Sequence, residues 1–167
     1  MFTREWSTAR RSAHSARSAG PSPVPSLICG LACALVLAGC GSDLPEPGPD
    51  AKAAACTALI ARLPARVLDR PRVELAVTGA AAWGDPAIVL RCGVTPSGPT
   101  TDPCTTVNGV DWTFSETKDA FRFRTYGRSP AVEVTVPTTI DRTTAPGAQV
   151  DLADAVRPLP ATAHCIG

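Results

Sequence analysis

The placement of cysteine constrains this chain more than any other feature. Of its seven cysteines, Cys29 and Cys33 lie inside an apolar run, Cys40 closes that run, and Cys56, Cys92, Cys104 and Cys165 are spread over the remainder. Arg4, Arg10, Arg11 and Arg17 precede the run from Leu27 to Ala38, and Glu5 is the only acid before it. That is the charged-then-apolar order of a secretory signal. Twelve apolar residues make about 18 Å of helix, short of the roughly 30 Å hydrocarbon core of a bilayer. The run is therefore expected to be cleaved rather than to stay as a span. The Arg10-Arg11 pair is followed by Ser12-Ala13-His14-Ser15 and not by the apolar and basic residues of a twin-arginine signal, so it reads as ordinary positive charge.

Leu37-Ala38-Gly39-Cys40 resembles a bacterial lipobox, with narrow side chains beside the bond to be cut and a thiol placed for a diacylglyceryl donor. Two acyl chains such as palmitate, at about 0.8 kcal/mol per buried methylene, hold a protein on a membrane durably. The expectation is a lipoprotein signal peptide over 1–39, lipid on Cys40, a Pro-rich tether over 40–55 and a single domain over 56–167. Pro45, Pro47 and Pro49 among small and acidic residues favour an extended, unpacked tether. The address is the outer face of the cytoplasmic membrane, with the membrane as a partner through Cys40.

Removing Cys29 and Cys33 with the signal, and assigning Cys40 to lipid, leaves Cys56, Cys92, Cys104 and Cys165. In an oxidising compartment an even count reads as two disulfides, with three connectivities open. Cys92 with Cys104, closing the Pro/Gly-rich segment between them, and Cys56 with Cys165, tying the first helix to the C-terminus, are the favoured pairs. The close CxxC pairs of a zinc site are absent, so no metal is expected.

The rest of the chain alternates between two periods. Cys56, Leu59, Ile60, Leu63 and Val67 recur near helical spacing in an Ala-rich stretch, which predicts a helix ending at about Leu63, before Pro64. A period of two follows in Val73, Leu75 and Val77; in Ile88, Leu90, Cys92 and Val94; in Val110, Trp112 and Phe114; in Phe121 and Phe123; and in Val132, Val134 and Val136. These are half-buried strands. Polar or Gly/Pro-containing turns between the last three predict consecutive hairpins. A second helix is predicted from Val150 to Val156. The fold class is α+β: a mostly antiparallel four- to five-stranded sheet with two helices packed on one face, stapled by two disulfides.

Reactive groups are scarce. Sixteen Lys and Arg against fifteen Asp and Glu give a net charge of +1, so neither charge nor address suits a nucleic-acid partner. After residue 40 the only histidine is His164, beside Cys165 near the chain's end, which reads as a surface residue. No G-x-S-x-G elbow, H-E-x-x-H pair or phosphate-cradling Gly loop occurs, and no cofactor is implied. A carboxylate mechanism on glycan would need two of Asp85, Asp111, Glu116 and Glu133 in one cleft. Asp85, between Gly84 and Pro86, reads first as turn chemistry. A polar sheet face carrying Arg91, Asp111, Arg122, Arg124 and Glu133, rimmed by Trp83, Tyr126 and Arg128, offers a recognition surface for an envelope protein or glycan. Arg62, Arg66 and Arg70 read as an ordinary solvated helix surface. An enclosed pocket for a small ligand is more than about 110 ordered residues are expected to spare.

Three blocks carry a resemblance. Ala82-Trp83-Gly84-Asp85-Pro86-Ala87-Ile88-Val89-Leu90-Arg91-Cys92-Gly93-Val94, Val107-Asn108-Gly109-Val110-Asp111-Trp112 and Tyr126-Gly127-Arg128-Ser129-Pro130-Ala131-Val132 occur in that order. The stretch from Cys56 to Cys165 resembles the actinobacterial envelope family catalogued as domain of unknown function 3515. The resemblance implies a small secreted, lipidated or membrane-tethered protein and supplies no catalytic residue. Together these readings favour a non-catalytic recognition or accessory domain in the cell envelope, with a small carboxylate-dependent envelope hydrolase acting on glycan as the alternative. Trp83, Asp85, Arg91, Asp111, Tyr126 and Arg128 are its candidate binding residues.

Overall fold

The computed structural model describes residues 44–166; the expected signal peptide and Cys40 lie outside the described residues. The element order is α1 (Ala54–Arg62), β1 (Arg66–Val67), β2 (Arg70–Val73), β3 (Ala80–Trp83), β4 (Ile88–Val94), β5 (Cys104–Val107), β6 (Val110–Glu116), β7 (Ala120–Thr125), β8 (Ala131–Pro137) and α2 (Gly147–Val156). The strands form one antiparallel sheet in the order β1-β2-β3-β4-β8-β7-β6-β5. The α+β class holds, with eight strands in place of four or five.

Four of the five alternating runs form strands, because each has an apolar face to bury. The fifth does not: after Val73 the chain leaves the ladder, and Glu74 to Gly79 form loop and turn. The additional strands lack a period-two signature. In β3 the residues Ala80, Ala81, Ala82 and Trp83 are all buried, so no alternation marks them, and the three alanines favour a helix, but Gly79 and Gly84, at φ +70° and +76°, bound the segment and its ladder with β4 holds it extended. In β5 the sequence Cys-Thr-Thr-Val is mostly exposed at the sheet's edge.

α1 is Ala-rich, which favours a helix, and it stops at Leu63, held extended before Pro64. Its buried Cys56 and Leu59 join Leu152, Ala153, Ala155 and Val156 of α2 and the inward residues Leu90, Val132, Val134, Val136, Phe121 and Phe123 in one core. Both helices thus cover the same face of the sheet. The opposite face carries a row running across three strands, Arg91, Glu133 and Arg124.

The disulfides are Cys56–Cys92 and Cys104–Cys165, which corrects both favoured pairings. Cys92 lies on β4 and faces the helices, whereas Cys104 lies on β5, with β8, β7 and β6 in between. Four strand spacings are about 19 Å, far beyond the roughly 7 Å Cα separation a disulfide tolerates. Cys92 instead meets Cys56 of α1 across the core, and the edge-strand Cys104 meets the C-terminal tail.

The Pro-rich segment is not unpacked over its described part. Asp50 donates its N–H to the Gly93 carbonyl at 2.9 Å, and Gly48 is buried against the Gly93 backbone. Gly93, at φ +79°, sits where β4 shifts register, and a Cβ there would strike the Asp50 and Ala51 backbone. The packed chain therefore begins well before residue 56.

Candidate functional site

The sheet is wider than the two helices that cover it. Beyond the N-terminal end of α2, the inward face of β5, β6 and β7 stays open as a cleft of about 440 Å³. Its floor is Trp112, Phe114 and Phe123, with Thr105 and Val107 from β5, Pro103 before it, and Arg142, Pro146 and Gln149 from the approach to α2 and its first turn. The period of two places these aromatics. Phe114 pairs with Phe123 in register, and their ring centroids lie 5.4 Å apart. Trp112 is only 1% exposed, Phe123 is buried, and Phe114 is half-buried.

Polar groups at the cleft are few. The Trp112 indole Nε1 is buried and has no acceptor among the described residues, a state that costs about 1–3 kcal/mol when left unmet. Gln149 is buried at the first turn of α2. Arg142 lies over the Phe114 ring at 5.3 Å from its centroid, and its Nε donates to Glu116 Oε2 at 3.0 Å. An apolar floor with a few placed donors is the usual make-up of a ligand site. The lining residues include no carboxylate, imidazole or thiol. The arrangement can bind a group that has an apolar body and an acceptor oxygen.

The six expected binding residues fall in different places. Trp83 is fully buried in the core, its Nε1 donating to the Pro64 carbonyl at 3.0 Å; it does not rim a surface. Arg128 is buried as well. Its guanidinium donates to the carbonyls of Arg157, Leu159 and Gly109 and so clamps the segment after α2 onto the β5–β6 turn. Burial pushes that guanidinium below the ordinary arginine value, and the nearby Asp111 charge partly restores it. Both residues are structural, because each finds its hydrogen-bond partners in backbone carbonyls that the tertiary fold brings to it.

Asp85 is exposed in the β3–β4 turn, before a cis Pro86. Asp111 is the second residue of β6, three strands across from β4. That lateral distance alone is about 14 Å, outside the roughly 5–9.5 Å at which two carboxyl groups share a glycosidic bond. Glu133 is 3% exposed and held between Arg91 Nη2 at 2.5 Å and Arg124 Nη2 at 2.6 Å. Glu116 pairs with Arg142. Asp85 and Asp111 therefore do not form the paired site.

Asp111, Tyr126 and Arg128 do come together, where the C-terminal tail crosses the sheet's end. Tyr126 donates its backbone N–H to the Asp111 carbonyl at 2.8 Å. The Asp111 carboxylate receives the Thr106 hydroxyl at 2.5 Å and the Cys165 N–H at 3.4 Å, and it lies 2.9 Å from His164 Nδ1. Burial opposes its ionisation, but these hydrogen bonds and His164 outweigh that and hold the carboxyl below its ordinary value. His164 is exposed, as expected, yet it is paired. The Thr106 hydroxyl is committed to the other Asp111 oxygen, so the pair fastens the tail. Arg91 lies apart from this cluster, on the bare sheet face.

Sequence reasoning assigned Trp112, Phe114 and Phe123 to a core face, and Arg142 and Gln149 carried no signal. The alternation is a real signal for the aromatics; nothing local reveals that α2 stops short of them. Among the described residues no group of three or more metal-ligating side chains is gathered, and no helix is long and apolar enough to cross a membrane.

No curated protein and no solved structure matches the chain. Residues 41–164 match the family described as Protein of unknown function (DUF3515), a span that holds the cleft, the Cys56–Cys92 disulfide and the whole sheet, and the chain belongs to that family.

Proposed function

We propose that this protein is a lipid-anchored, non-catalytic recognition domain of the cell envelope, held to the outer face of the cytoplasmic membrane through Cys40, with the aromatic cleft as its binding site. The observation that carries the reading is the cleft itself: three aromatic rings, a buried indole donor without an acceptor among the described residues, and a wall whose one hydroxyl, that of Thr105, has no carboxylate or imidazole beside it in the lining. Such a lining favours binding over bond cleavage, because acyl or glycosyl transfer needs a nucleophile or a carboxylate pair at the reacting atom. The lipobox-like Leu37-Ala38-Gly39-Cys40 after an apolar run supports the anchor. The bound group is expected to be an apolar or planar moiety that packs on the Phe114 side of the cleft and offers an oxygen to Arg142 at its rim, borne by an envelope protein or glycan.

The test is a fragment screen read by nitrogen–proton correlation NMR, using small aromatic and aliphatic amides and acids as probes. Hits are expected to move the Trp112 indole and Gln149 amide signals together, and Phe114→Asp should weaken them at least tenfold without unfolding the domain. Hits that converge on the opposite sheet face, or on no single place, would remove the cleft as the site.

A further inference from the structure

The chain enters the described fold on one surface in particular. Pro45 lies against the bare sheet face, beside Val89, Arg91, Arg122, Glu133 and Thr135. Arg91 Nη1 donates to the Glu46 carbonyl at 3.0 Å, and Leu44, just before this contact, is exposed. Residue 40 precedes Leu44 by four positions, so at most about 14 Å of extended chain joins the two. The helices lie on the other side of the sheet and are themselves about 10 Å thick. A link that short reaches the bare face and does not pass around the domain to the helical side.

Charge on that face is arranged to match. Arg91 and Arg124 side chains are 27% and 35% exposed, and Arg122, two residues from Arg124 along β7 and opposite Thr135, is exposed on the same face. The acids that face them are Glu133, buried between two of the guanidinium groups, and Glu46, exposed beside Arg91 and Arg124. The outermost groups are mostly guanidinium, which suits phosphate.

We propose that the sheet face over β4, β8 and β7 docks on the bilayer, with Arg91, Arg122 and Arg124 engaging the phosphates of anionic lipid headgroups. The inference rests on acylation of Cys40, which supplies the proximity; the arginines supply the orientation. Each exposed arginine near an anionic surface shifts the balance about fivefold. The aromatic cleft, on the opposite face of the sheet, is then turned away from the membrane and toward ligands in the envelope.

The test uses the acylated protein inserted into vesicles of equal parts phosphatidylcholine and phosphatidylglycerol, with an energy acceptor on the headgroups. A fluorophore is placed on an added cysteine at Thr135→Cys, on the sheet face, or at Val150→Cys, on the exposed side of α2. Transfer is expected to be several-fold greater from position 135 than from position 150, and Arg122→Glu or pure phosphatidylcholine should shrink the difference. Should Thr135→Cys not fold, Ser115→Cys, in the same cross-strand row, replaces it. Equal transfer from the two faces in vesicles that retain the protein would overturn this orientation alone. Failure of the vesicles to retain it would overturn the anchored reading, and this inference with it.

Discussion

Glu133 shows how far a single residue depends on its neighbours. Burial raises the cost of its charge, yet the hydrogen bonds and charges of Arg124 and Arg91 outweigh that and hold its carboxyl below the usual value of 4.5. A carboxyl depressed in the folded state stabilises fully above its unfolded pKa, and that contribution is lost as pH falls through the lower folded value. Urea midpoints should therefore decline below about pH 4.5. Asp111, also depressed, adds to the decline at the acid end. Glu133→Gln should flatten the upper part of this profile and cost about 2 kcal/mol at neutral pH, a figure reduced from the fully buried case because both arginines are partly solvated. A variant whose midpoint tracks pH as the parent's does would show that Glu133 is not the responsible group. The aromatic residues teach the complementary lesson. Trp83 and Trp112 each sit on an alternating or apolar strand, and local sequence does not say that one indole N–H meets a carbonyl while the other is buried without an acceptor among the described residues.

Among the elements, the two disulfides do different work. Cys56–Cys92 joins α1 to the centre of the sheet over a separation of 36 residues. Cys104–Cys165 pins the tail to the edge strand over 61. The chain-entropy model assigns each about 4 kcal/mol. Replacing Cys56 and Cys92 together by Ser should lower global stability by that order in denaturant titrations. Replacing Cys104 and Cys165 should also speed hydrogen exchange at Thr162 and Ser129, whose N–H groups bond to the Gly127 and Pro160 carbonyls. Exchange there as slow as in the parent would mean that Arg128 and the Asp111–His164 pair hold the tail without the disulfide. The helices and the four longest strands were legible because burial imposes a period on them. β1, β2, β3 and β5 were not: each is four residues or fewer, and two are largely exposed. Such strands exist because a neighbour offers them a ladder, which no local period announces.

For the molecule as a whole, the described Pro-rich segment already packs on Gly93, so the proposed lipid on Cys40 is separated from packed residues by only a few positions of sequence. Cys40→Ala should release the protein from the membrane fraction, with its thermal midpoint unchanged because no described core residue involves the anchor. Continued retention would count against acylation at that position. By itself, the sequence determined the α+β class, the faces of the main strands, the even set of four cysteines after residue 40 and the family resemblance, since each follows from composition, period or a contiguous motif. Strand order, disulfide partners, the burial of Trp83 and Arg128, and the gap beyond α2 were decided only by the tertiary structure. These depend on which segments lie side by side: the antiparallel sheet brings Arg91 to Glu133, and the tail that crosses the sheet's end brings His164 to Asp111, pairs that are tens of positions apart in the chain.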